Sequence, residues 1–213
     1  MTRKVLTYVW QHSMVAVLCA AMAVLPACSL QSVLSEGEKI LSYLPMAANI
    51  ALPLVCIDAP VCPAATAAVK VFDAAQAAVL TLFQAWQSAA TAAQPAILSQ
   101  LQAALVTLQQ QYQNLLAALH VVNANIVGEV GAILAAMMAA ITSFAQLVGV
   151  TLATGGTAAA ARKVLRAGML KSGPLAYSSS DFKKAIVSAV NKKTGDATLD
   201  PLNSALASQA KAW

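Results

Sequence analysis

The sequence predicts an all-α protein: an Ala-rich bundle of long helices, or a coiled-coil hairpin, followed by short C-terminal helices. Three observations carry that prediction. Alanine supplies 48 of the 213 residues while aromatic residues make up only 5%, which favours helix and leaves little of the side-chain surface on which sheets pack. Apolar residues recur at alternating steps of three and four through the middle of the chain, a spacing that gathers them on one helical face. Pro63, Pro95 and Pro201 stand where helices should begin, and glycines stand near their expected ends. With 59% hydrophobic and only 10% charged residues, the chain is neither a disordered tail nor a collagen.

Arg3 and Lys4 give the chain a positive start, and Met14 to Leu25 is a run of twelve uncharged, nearly all apolar residues. That length suits the apolar core of a secretory signal rather than a membrane span, which needs about 20 residues. The run ends in Leu25-Pro26-Ala27-Cys28. This resembles the lipobox of bacterial lipoproteins, with Leu three residues before a Cys and a small residue just ahead of it. The resemblance implies a signal peptide over 1–27, cleavage before Cys28 and acylation of Cys28. Ser29 rather than Asp follows the Cys, which is similar to the default for export to the outer membrane. The implied address is the bacterial cell envelope, lipid-anchored in the outer membrane and facing the periplasm.

Residues 28–62 read as a lipidated N-terminal helix and a disulfide corner. Leu30, Val33, Leu34, Ile40, Leu41 and Leu44 mark the helix; Gly37 weakens it, Pro45 is expected to kink or break it, and Pro53 to stop the segment after that. Cys56 and Cys62 are separated by five residues including Pro60, and an exported compartment oxidises thiols, so the pair is expected to form a disulfide. Two thiols and Asp58 are too few ligands for a metal, and a redox pair usually has two intervening residues.

Residues 63–153 read as the long-helix bundle. Ala68, Phe72, Ala75, Val79, Leu82, Trp86 and Ala89 form a first stripe, which Pro95 ends. Leu98, Leu101, Leu105, Leu108, Tyr112, Leu115, Leu119, Val122 and Ile126 form a second. It resumes at Val130, Ile133, Met137, Ala140, Phe144 and Leu147 after one stutter. Asn123, Asn125, Gly128 and Gly131 cluster at the stutter, but none is a proline, so one continuous helix is expected there and a hairpin is the alternative. Thr154-Gly155-Gly156-Thr157 is expected to close it.

Residues 154–213 read as basic, short C-terminal helices. Arg162, Lys163, Arg166 and Lys171 are candidates for contact with an anionic surface. Ser180 is placed to cap a helix from Asp181 to about Lys193, stopped by Gly195, and Asp200-Pro201 to open the last one. Charge is divided unevenly: residues 28–161 carry net −3 and residues 162–213 net +6. No charged side chain occurs from Ala74 to Gly128 or from Val130 to Ala161.

Catalytic chemistry has little to stand on. His120 lies beside the stripe among apolar residues, and a lone imidazole without partners reads as an interface polar group. The Thr154–Thr157 segment lacks the phosphate-loop spacing and a preceding strand, and no serine lies in a GxSxG context. The expectation is therefore no enzyme, no cofactor and no metal. The expected function is a structural or protein-interaction role, as scaffold or spacer. Its partners would be the membrane, through the lipid anchor, and a second copy or another envelope protein, through helix packing; export argues against nucleic acid as a partner. An alternative is a membrane-inserting protein with a span near 130–153, whose 24 residues carry no charge. A third is a carrier of an apolar ligand between helices.

Overall fold

The computed structural model describes residues 27–57, 60–119, 124–150 and 177–213. These form six helices and, among the described residues, no strand: α1 (Ala27–Val55), α2 (Cys62–Ser88), α3 (Gln94–Ala118), α4 (Ala124–Leu147), α5 (Ser179–Val190) and α6 (Leu199–Lys211). The architecture is the all-α helical bundle that the composition predicts. The chain divides into two units, Met1–Ser35 and Glu36–Trp213. Of the first, the described part is the opening of α1. The bundle lies in the second.

Between Glu36 and Val55, α1 buries a broad face, with Ile40, Leu41, Leu44, Ala47, Ala48, Ile50, Ala51 and Leu54 fully shielded and Lys39, Met46 and Asn49 exposed opposite. Pro45 and Pro53 both lie inside this helix, so neither breaks it as the sequence reading expects. The physical reason at Pro45 is a replacement donor. Proline cannot give an N–H to the carbonyl four residues back, and the orphaned Leu41 oxygen instead accepts from the Gln76 side-chain amide of α2 at 2.8 Å. Gln76 is itself buried.

Gly37, a weak point by propensity, has a packing role. A Cβ at this position would lie 3.1 Å from Leu147 Cδ2 and 3.3 Å from Phe144 Cδ2, so its absence allows α1 to approach α4 closely.

Helices α2 and α3 pack against each other as a hairpin. Pro63 and Pro95 stand in their first turns, where a missing N–H costs nothing. The inward residues of α2 are Ala65, Val69, Phe72, Gln76, Val79 and Phe83. The stripe read from sequence shares only Phe72 and Val79 with this set. In a segment so rich in alanine, several phases of a three-four pattern fit equally well, and the large Phe83 and the hydrogen-bonding Gln76 decide which is buried.

In α3 the stripe Leu101, Leu105, Leu108, Tyr112 and Leu115 is buried as spaced, and Ile126, Val130, Ile133, Met137, Ala140 and Phe144 continue it in α4. The two segments are separate helices, however, and the expected single helix of about 55 residues does not form. Tyr112 Oη donates to Leu134 O at 2.7 Å, and Gln102 Nε2 donates to Val148 O at 3.3 Å. Early residues of α3 therefore meet late residues of α4, which is the hairpin. The stripe stays in phase because both arms face the same core, so periodicity alone could not distinguish a bend from a stutter.

Helix α4 also ends earlier than expected. Gly149 adopts φ +75°, Val150 N donates to Ala145 O at 2.8 Å and Gly149 N to Gln146 O at 3.1 Å. That is the Schellman closure, in which a left-handed glycine satisfies the last carbonyls. The expected stop at 154–157 lies outside the described residues.

The core closes around α4, whose residues from Ile133 to Ala145 are all buried. A helix apolar on every face is what a central position requires.

Candidate functional site

The C-terminal pair α5 and α6 is built by side-chain caps. Ser178 Oγ accepts from Asp181 N at 3.1 Å, so Ser178, not Ser180, is the N-cap of α5. The carboxylate of Glu36 in α1 accepts from Ser179 N at 2.6 Å, placing a negative charge at the positive end of α5. The helix ends at Val190 rather than Lys193: Asn191 N–H still reaches Val187 O, but its ψ of 52° takes the chain out of the helix.

The turn between the helices is organised by two carboxylates. Asp196 Oδ1 accepts from Thr198 N and Leu199 N and so does the capping expected of Asp200. Asp200 instead sits in the first turn of α6 and reaches back to Thr194 N, Thr194 Oγ1 and Gly195 N. Those bonds from Thr194 hold its carboxyl below the usual carboxylate range. Gly195 has φ +79°, a conformation glycine adopts without strain.

This pair forms an open groove of about 550 Å³ lined by Ser180, Lys183, Lys184, Val187, Ser188, Asn191 and Lys211. Three lysines, two serines, an asparagine and a valine line it, and no acidic residue does. Lys183 Nζ donates to the backbone oxygen of Trp213 at 2.7 Å, which fixes one wall. Tyr43 of α1 packs against both Phe182 and Trp213, with ring centroids 6.5 and 5.7 Å apart. Of these three rings only Phe182 is fully buried, and the groove's exposed lining is mostly apolar, with the three lysines as its charged residues.

A second feature is polar and wholly buried. Glu129 near the start of α4 is 2% exposed and Asn203 of α6 is 1% exposed. Asn203 Nδ2 donates to Glu129 Oε1 at 3.0 Å and lies 3.4 Å from Lys192 O. Glu129 Oε2 and Asn203 Oδ1 are buried without partners. Burial pushes the Glu129 carboxyl above the usual range, against the opposing pull of the Asn203 bond and Lys192. Elsewhere, burial likewise raises Asp73, which Asn49 partly offsets, and raises Tyr112 well above an ordinary phenol.

Sequence reasoning passed over Glu129 and Asn203 as a pair. The signals were present: Glu129 is the one charged residue between Ala74 and Ala161, and Asn203 takes an inward position between Leu199 and Leu206.

The corner between α1 and α2 carries a disulfide, with Cys56 and Cys62 sulfurs 2.00 Å apart and their Cα atoms 4.5 Å apart. Cys28 is the second residue of α1, and its side chain lies outside the described set, as do Asp58, His120 and the basic residues Arg162, Lys163, Arg166 and Lys171. Among the described residues, no group of three or more His, Cys, Asp or Glu side chains could hold a metal ion.

No family model, no curated protein and no solved structure matches the chain.

Proposed function

We propose that this chain is an envelope lipoprotein: a helical bundle tethered through Cys28 that serves as a scaffold or spacer and makes its contacts through helix faces and a basic groove. The observation that carries the reading is the lipobox Leu25-Pro26-Ala27-Cys28 behind a twelve-residue apolar run. The folded part supports it. The Cys56–Cys62 disulfide suits an oxidising compartment. Helices α2 and α3 turn outward an almost uncharged face of Ala, Thr, Ser and Gln, including exposed Val71 and Val106, which another helix could cover without stranding a charge. The lysines of the groove between α5 and α6 suit anionic lipid head groups.

A membrane-inserting role is the second reading, favoured by one observation: α2 and residues Ile126–Leu147 of α4 are each long and apolar enough to cross a bilayer. Of the two, the α4 window is 78% buried within the protein and the α2 window only 28%. The burial of α4 supports its place as a core helix rather than the span expected near 130–153.

Intact mass of protein extracted from membranes tests the main reading. The expected result is a chain beginning at Cys28 and carrying a diacyl or triacyl group, with processing blocked in Cys28→Ser. An unacylated chain, or unchanged processing in the variant, overturns it.

A further inference from the structure

Glu129 is the one formal charge in a stretch otherwise uncharged from Ala74 to Ala161, and it is buried at a junction between helices. A carboxylate there would be costly, because desolvation penalises the charged form. Among the described residues its carboxyl accepts one hydrogen bond, from the Asn203 amide, which leaves one oxygen on each side chain buried and unpartnered, Glu129 Oε2 and Asn203 Oδ1. Two acceptors cannot satisfy each other. One proton on Oε2 makes it a donor, and the same Asn203 amide that already meets Oε1 carries an unpartnered carbonyl oxygen as acceptor. The carboxylic acid and the carboxamide are then complementary at both ends: N–H to Oε1 in one direction and O–H to Oδ1 in the other.

We propose that Glu129 and Asn203 form a proton-operated latch: with Glu129 protonated the two side chains close a reciprocal two-bond pair that fastens α6 to α4, and loss of the proton loosens α6. One proton enters from solvent when the latch closes and returns when it opens; no other bond changes. Among the described residues, the charged groups that face Glu129 are Lys192, just after α5, and Asp200, in the first turn of α6. Lys192 favours ionisation. Asp200, held ionised by Thr194 and Gly195, opposes it. Burial tips the balance toward the acid form, in agreement with the raised proton affinity of Glu129.

Stability then depends on pH with a definite sign. The folded state holds this proton at pH values where an unfolded glutamate, with its ordinary value of 4.5, has lost it. Below that value both states are protonated and Glu129 imposes no penalty. As pH rises through the window between the ordinary and the raised value, folded-state stability falls, and above the window the penalty is complete.

A consequence concerns the groove. Lys183 and Lys184 belong to α5 and Lys211 to α6, so loosening α6 alters the spacing of its walls. This consequence rests on the anionic reading of the groove; the latch does not.

Amide hydrogen exchange of residues 199–211, measured on the full chain in detergent at about pH 5 and about pH 8 and corrected for intrinsic exchange, tests the latch. The expected result is roughly tenfold or greater loss of α6 protection at the higher pH, the order expected when a buried hydrogen bond opens and leaves its partner unsatisfied. In Glu129→Gln, whose amide hydrogens replace the carboxyl proton, protection should stay at the acid-side level at both pH values. In Asn203→Leu, α6 should be weakly protected at both. Equal pH dependence in Glu129→Gln and the unaltered chain overturns the latch, as does full protection in Asn203→Leu. Should Glu129→Gln fail to fold, carbon-detected titration of the Glu129 carboxyl decides: a midpoint in the ordinary carboxylate range overturns the proposal. A groove that ignores anionic vesicles while α6 still responds to pH counts against the groove reading alone.

Discussion

A proline inside a helix leaves a carbonyl without its donor, and the surroundings of that carbonyl decide whether the helix survives. At Pro45 the answer is Gln76, whose amide meets the Leu41 oxygen at 2.8 Å in a buried setting. Removing one partner of a buried hydrogen bond leaves the other desolvated and unsatisfied, at a cost of about 1–3 kcal/mol. Gln76→Met, which keeps the length of the side chain, should lower unfolding stability by that amount. Pro45→Ala restores the backbone N–H and should remove most of the penalty, so the double variant should be less destabilised than the separate effects add up to. The coupling would appear in a double-mutant cycle of urea unfolding; strict additivity would mean that Gln76 acts elsewhere. The same pair explains why sequence reading put a kink at Pro45. The rule about proline was sound, but its remedy lies in the next helix, and nothing local to Pro45 announces it.

At the scale of elements, legibility depended on whether a signal was local. The buried face of α3 was legible because Leu101, Leu105, Leu108 and Leu115 are large and unambiguously spaced. The face of α2 was not, because nine alanines among its 27 residues let more than one phase of the pattern fit. The hairpin between α3 and α4 was hidden by a stripe that stays in register through the bend. The groove was legible only as an excess of basic residues after position 161. Its assembly from Lys183, Lys184 and Lys211 depends on how α5 and α6 pack. That assembly predicts binding to vesicles containing an anionic lipid, measured by sedimentation. Basic residues near such a surface contribute about 1 kcal/mol each, so Lys184→Ala with Lys211→Ala should weaken partitioning on the order of 30-fold. Lys183 is left in place because it holds the Trp213 oxygen. Binding should also fall with added salt, since exposed charges are screened over about 10 Å at 0.1 M. Unchanged partitioning in the double variant would remove the groove from the membrane contact.

At the scale of the whole molecule, the question is what α4 faces. Phe144 is fully buried and meets Phe83 of α2 edge to face, with centroids 4.9 Å apart and planes at 79°. Its ring also fills the space that Gly37 of α1 leaves open. Three helices therefore converge on one side chain, and the bundle depends on it. Truncating a buried phenylalanine costs about 3–5 kcal/mol, because the lost transfer energy is joined by the cavity left behind. Phe144→Ala, measured by chemical unfolding of protein lacking residues 1–28 in detergent-free buffer, should lose stability in that range with little change in the denaturant slope. The two readings of this segment part here. A ring packed among helices gives the full loss and a soluble parent protein. A ring facing lipid gives a parent recovered only with detergent and a substitution that barely alters its unfolding. The uncharged stretch from Val130 to Ala161 alone cannot separate them, because a core helix and a membrane span are both apolar on every face. The edge-to-face ring pair and the glycine beneath it favour the core. A stable, detergent-free Phe144→Ala protein with unaltered unfolding would mean that α4 packs differently in solution.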